Sequence, residues 1–153
     1  MVPDGDFVAL LESETTAALQ LLNSISEAQS LYRYEPGKWS IREMFVHVND
    51  VERIQCYRSL RFARGDAKEF PGFDPASYIA PSAADTRSWR SIVEEFAAVR
   101  GATLALFRNL PREAWIRGGV ADGHSYTVRA FAYTLLGHGI HHRKILSERY
   151  LAK

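Results

Sequence analysis

The residues best suited to chemistry in this chain are three histidines. His138 and His142 fall within Leu136-Gly137-His138-Gly139-Ile140-His141-His142-Arg143, inside an apolar-periodic segment from about Thr127 to Leu151. Phe131, Leu135, His138, His142, Ile145 and Arg149 recur there at alternating steps of four and three, the spacing of one helix face. Two imidazoles therefore project from adjacent turns toward a core, where each ring needs a polar partner. His47 lies on a second such stripe, Met44, His47, Val51 and Ile54, stepping by three, four and three. Three imidazoles on facing helices can hold a divalent transition metal and leave a coordination position open, the pattern of a catalytic rather than a structural site. Spacing alone leaves the alternative open that each histidine is a hydrogen-bonded core residue.

Other groups fit that site less well. Cys56 is nine residues past His47, about 180° around the helix at roughly 100° per residue, and is excluded as a ligand. His141 lies about 100° off the ligand face and reads as a rim residue, while His124 falls in a loop. No Glu-x-x-His pair of the di-iron kind occurs, and the H-E-x-x-H protease motif fails because Gly139 follows His138. Glu43 is accounted for by helix capping. Asp50 reads as a solvated helix position, and Glu52 as a half-buried group paired structurally with Arg100.

Four amphipathic helices must position these residues. Asp6 caps the first, with a stripe of Leu11, Ala18, Leu22 and Ile25 that should end near Ser30 or Leu31. Ser40 and Glu43 form a capping box for the second, flanked by Trp39 and Met44 at the positions of a hydrophobic staple. Gly65 to Ala84 reads as a long crossover, broken by Pro71, Gly72, Pro75 and Pro81 yet apolar enough at Phe70, Phe73, Tyr78 and Ile79 to pack over one end of the domain. Asp85 or Ser82 should cap the third helix, whose stripe is Trp89, Ile92, Phe96, Val99, Thr103, Phe107 and Leu110. Pro111 to Tyr126 reads as a second loop with one short turn near Arg112 to Trp115, and Thr127 caps the last helix. With no good strand pattern, these elements predict an all-α protein. It is a four-helix bundle with a long crossover between helices two and three, one domain over residues 1–153.

Bulk properties narrow the class. The 19 basic and 18 acidic residues nearly cancel, which argues against a nucleic-acid partner. No apolar run reaches bilayer length, and Met1-Val2-Pro3-Asp4-Gly5-Asp6 lacks the basic start of a signal peptide, so no membrane association is expected. A single cysteine fits a reducing cytoplasm.

Several stretches together resemble the DinB/YfiT-like superfamily. They are Lys38-Trp39-Ser40-Ile41-Arg42-Glu43, then His47-Val48-Asn49-Asp50-Val51-Glu52-Arg53, Phe73-Asp74-Pro75-Ala76-Ser77-Tyr78, Glu95-Phe96-Ala97-Ala98-Val99-Arg100 and Gly137-His138-Gly139-Ile140-His141-His142. The resemblance covers nearly the whole chain. It implies a crossover four-helix bundle, often a homodimer, in which His47, His138 and His142 bind a divalent transition metal, zinc or nickel foremost. Gly139 departs from the many relatives that carry glutamate there, which weakens a hydrolase reading built on that base. Some similar proteins use a low-molecular-weight thiol such as bacillithiol, mycothiol or glutathione. The resemblance thus implies first a metal-dependent thiol S-transferase in detoxification or stress, acting on a small-molecule substrate. The alternatives are a metal-dependent hydrolase and a non-catalytic stress-induced bundle.

Overall fold

The computed structural model describes residues 6–152. Its helices are α1 (Phe7–Asn23), α2 (Ile41–Ala63), the one-turn α3 (Ile79–Ser82), α4 (Trp89–Arg108) and α5 (Val128–Ile145). A short hairpin of β1 (Gly118–Ala121) and β2 (His124–Thr127) precedes α5. Each long helix starts where a polar side chain accepts from the first turn: Asp6 from Val8, Ser40 from Glu43, Ser88 from Ser91 and Thr127 from Ala130. At α2 the capping box is complete, the Glu43 carboxylate accepting from the Ser40 amide at 2.8 Å.

The long helices form the predicted four-helix bundle. Glu12 pairs with Arg108 and Leu22 accepts from the Trp89 indole, so α1 and α4 run antiparallel. Phe45 meets Trp89 and Glu52 meets Arg100, so α2 and α4 run parallel, as the long crossover allows. Phe62 meets Phe131 and His47 meets His138, making α2 and α5 antiparallel. α1 and α2 each pack on α4 and α5, and the order of directions is up, down, down, up.

Four expectations are corrected. α1 stops at Asn23, because Asn23 and Ser24 donate their side chains back to Leu19 and Leu21, and Ser26 and Gln29 then close a turn on each other. α4 is capped by Ser88, since Asp85 is engaged by Arg33 and by the Ser40 hydroxyl while Ser82 donates to Ile79. The crossover does not cover one end. It runs back along α2, from Phe70 against Phe62 to Asp85 against Ser40. The glycine-rich loop is a hairpin turned at Asp122-Gly123, both with positive φ (54° and 72°), and Gly119 lies so close to the Phe62 ring that a Cβ would come within 2.6 Å of it.

The buried apolar residues form two clusters. One gathers Leu22, Met44, Phe45, Trp89, Phe96 and Leu146; the other gathers Leu11, Phe62, Phe107, Phe131 and Leu135. Polar residues occupy the level between them. Glu14 accepts from Nε and Nη2 of Arg143 at 2.7 and 2.9 Å, Glu52 accepts from Arg100 at 2.9 Å, and the histidines complete this layer. Buried pairs of this kind persist because each charge has a matched partner.

Candidate metal centre

α2 and α5 bring the three predicted histidines to one point. His47 Nε2 and His138 Nε2 are 3.0 Å apart, and His142 Nε2 and His138 Nε2 are 3.1 Å apart. One nitrogen from each ring lies within 4.8 Å of the other two, with no carboxylate or thiol in the group. A ring nitrogen carries either one hydrogen or one lone pair. His138 Nε2 can therefore form a full hydrogen bond with only one of the two nitrogens it faces, and the second contact is left without a hydrogen or a lone pair of its own. A cation shared by all three lone pairs removes that conflict. A tetrahedral set at about 2.0–2.1 Å from a metal has nitrogens about 3.3 Å apart, close to what these rings present.

The rings are also held in the state a metal needs. Burial pushes His142 down to about 3, with the charges of His138, His47 and His141 acting the same way. Burial pushes His138 down to about 4, assisted by His47, His141 and Arg100, and burial lowers His47. All three are neutral near pH 7, with lone pairs free. The Nδ1 atoms of His47 and His142 are buried with no protein acceptor. Ring orientation therefore comes from packing, with the Trp39 indole centred 4.9 Å from the His47 ring, rather than from the carboxylates that often support metal-bound histidines.

The remaining candidates are placed elsewhere. His141 is exposed with its ring 5.3 Å from that of His142, and His124 is exposed on β2. The Cys56 thiol lies 3.2 Å from the Thr103 hydroxyl on the α4 side, and burial pushes it up to about 11, which keeps it protonated near neutral pH. Asp50 pairs with Arg53, and Glu43 with Arg33. Glu52 and Arg100 form the expected pair, more deeply buried than the sequence implied, at 3% and 1% side-chain exposure.

Three features escaped the sequence reading. Gly139 sits against the Arg100 guanidinium, where a Cβ would come within 3.2 Å of Nη2, so the glycine makes room for a buried arginine. After Ile145 the last turn widens into a π-helix, Leu146–Tyr150, which turns Leu146 and Tyr150 inward and leaves Arg149 exposed, off the stripe that spacing gave it. Tyr34, Trp39, Met44, Ile145 and Tyr150 then line an open cavity of about 190 Å³ with His142 in its wall. Only Trp39 carried a signal for this, as the capping-box flank.

Comparison with known proteins fits this architecture. The structure is similar to YfiT from Bacillus subtilis, described as a probable metal-dependent hydrolase with an unusual four-helix bundle topology. The two share 19% identity and a TM-score of 0.72 over 96% of this chain and 87% of that one. It is similar to the DinB-like protein YjoA from Bacillus subtilis, with 18% identity and a TM-score of 0.69 over 96% and 90%. A mycothiol-dependent maleylpyruvate isomerase matches with 14% identity and a TM-score of 0.74, over 90% of this chain and 58% of that protein. These likenesses establish the fold. No curated protein matches significantly in sequence. The sequence profile of the DinB superfamily matches residues 10–146, and the chain belongs to that superfamily.

Proposed function

We propose that this protein is a metal-dependent enzyme in which His47, His138 and His142 hold a divalent transition metal, zinc or nickel, and that it transfers a low-molecular-weight thiol to a small electrophile in detoxification or stress. The observation that carries the reading is the convergence of three neutral Nε2 atoms beside a cavity, in a group without a carboxylate. The metal, when bound, supplies Lewis acidity that favours the ionised form of a thiol. The protein's own residues do the rest. The imidazoles stay uncharged because they are buried, Trp39 fixes the His47 ring, and the cavity next to His142 offers room for the second reactant. The structural likeness to a mycothiol-dependent isomerase supports a thiol as the cofactor. The enzyme is proposed to work in the cytoplasm, as a homodimer.

A metal-dependent hydrolase is the second reading, favoured by the description of YfiT. Hydrolysis needs an acceptor for a proton of water, and the position after His138 faces the Arg100 cation rather than carrying a base. Elemental analysis of the purified protein tests the shared premise and should give one zinc or nickel per chain, lost in His138→Ala. Cobalt-substituted protein then separates the readings. Addition of mycothiol, bacillithiol or glutathione should produce a thiolate charge-transfer band. No band with any thiol, combined with metal-dependent turnover of an ester or amide panel, would establish the hydrolase instead.

A further inference from the structure

We propose that the open cavity lined by Tyr34, Trp39, Met44, His142, Ile145 and Tyr150 is a substrate subsite for a small, flat carboxylate, with Lys38 as the residue that meets its charged end. This rests on the reading above that His142 belongs to the metal centre. The size limit comes from the volume: about 190 Å³ is about six water volumes at roughly 30 Å³ each, enough for one planar ring or a short unsaturated chain. The walls select an apolar, flat body. The Tyr34 and Tyr150 rings meet edge to face at 4.8 Å, and the Trp39 indole, already against His47, forms another side. The Tyr150 hydroxyl is already engaged, donating to the Trp39 carbonyl at 2.8 Å.

The rim selects the charge. Lys38 lines the cavity and is exposed, and its ammonium pairs with no described carboxylate. The Arg149 guanidinium stands 5.7 Å from the Tyr34 ring centroid. The nearby carboxylates of Glu43 and Asp85 are engaged by Arg33 and Ser40. Among the described residues Glu35, exposed in the same turn as Lys38, and Glu148, exposed next to Arg149, form no ion pair with either cation. An anionic end is thus favoured over a cationic one, and its apolar remainder extends toward His142.

The test uses three probes of similar size and different charge: benzoate, benzyl alcohol and benzylamine. Binding is followed by the indole N–H resonance of Trp39 and by tryptophan fluorescence, in metal-free and zinc-loaded protein. Benzoate should bind at millimolar concentration in both forms and benzylamine in neither. Lys38→Gln should weaken benzoate two- to fivefold, as for an exposed ion pair, without changing benzyl alcohol, and Lys38→Arg should restore it. Ile145→Trp, which fills the space, should abolish binding. The assignment is overturned if zinc-loaded protein binds no benzoate, if benzylamine binds as well as benzoate, or if Lys38→Gln leaves benzoate unaffected. Failure of the metal reading is separately visible: a protein that takes up benzoate with this Lys38 dependence but binds no zinc keeps the subsite and loses the metal centre.

Discussion

Replacing Gly139 by alanine sets two effects of known size against each other. Alanine inside a helix is favoured over glycine by about 0.8–1.0 kcal/mol. At position 139 the added Cβ would lie 3.2 Å from Arg100 Nη2 and 3.9 Å from Nη1, so the guanidinium must shift by a few tenths of an ångström. It has little freedom to do so. Arg100 is 1% exposed, it rests on the Phe96 ring at 5.1 Å, and its partner Glu52 is itself anchored at 2.6 Å by the Thr103 hydroxyl. Breaking one partner of a buried pair costs about 3–5 kcal/mol. Losing half of that while gaining the propensity leaves a net destabilisation of about 0.5–1.5 kcal/mol. Gly101 is the control: it lies in α4, is exposed, and has nothing within 4 Å of an added Cβ, so Gly101→Ala should stabilise by about 0.8–1.0 kcal/mol.

Urea unfolding of both variants measures the contrast directly, provided the slope with denaturant is unchanged. The variants should move the midpoint in opposite directions. In an Arg100→Met background the crowding is relieved, and Gly139→Ala should then become stabilising. If Gly139→Ala stabilises the wild-type protein as much as Gly101→Ala does, Arg100 is not confined against α5. The account of why a glycine follows His138 then fails.

Three further outcomes follow from the same layer. Arg100→Met alone should cost about 3–5 kcal/mol by leaving Glu52 buried without its counter-charge, whereas Glu52→Gln combined with Arg100→Met should recover most of that loss in denaturant titrations. In metal-free protein the histidines bind fewer protons folded, with His138 near 4 and His142 near 3, than unfolded near 6.5. Stability should therefore fall as pH drops from about 6.5 toward 4, by up to about 2.7 kcal/mol per pH unit for two histidines, and the dependence should shrink by about one proton in His142→Phe. Zinc at a thousandfold excess over its dissociation constant should add about 4 kcal/mol, raising the melting temperature by about 8–16 °C, with no shift in His47→Ala.

The helices and the convergence of the three histidines were legible because both follow from local rules. A capping box at Ser40 and Glu43 and a four-three alternation through His138 and His142 each need only a few neighbouring residues. What escaped depended on distant partners. Asp85 looked like a helix cap until Arg33 and Ser40 claimed it across the fold. Gly118 and Gly119 read as loop glycines, although a Cβ on either would collide, with the Tyr126 carbonyl and the Phe62 ring respectively. The Asp122-Gly123 turn was a hairpin signal within reach of the sequence, and the surrounding glycines masked it. Arg149 was misplaced because a π-turn breaks the period on which the stripe depended.

The polar layer explains why chemistry would be sited here. Two apolar clusters supply the cohesion of the bundle and leave between them a level at which polar groups are buried. Glu14 with Arg143 and Glu52 with Arg100 set opposite charges against each other at that level, with Nε and Nη1 of Arg100 left without a hydrogen-bond partner. The three imidazoles have no opposite charge at all: burial keeps them uncharged, their Nε2 atoms face one another, and two of the Nδ1 atoms have no protein acceptor. An apolar replacement at these positions would remove that conflict and cost the core nothing of this kind. The arrangement is consistent with a fold that tolerates unsatisfied nitrogens because a cation satisfies them. Since His47 comes from α2 and the other two from α5, the same cation would tie together the helix pair that runs beside the cavity.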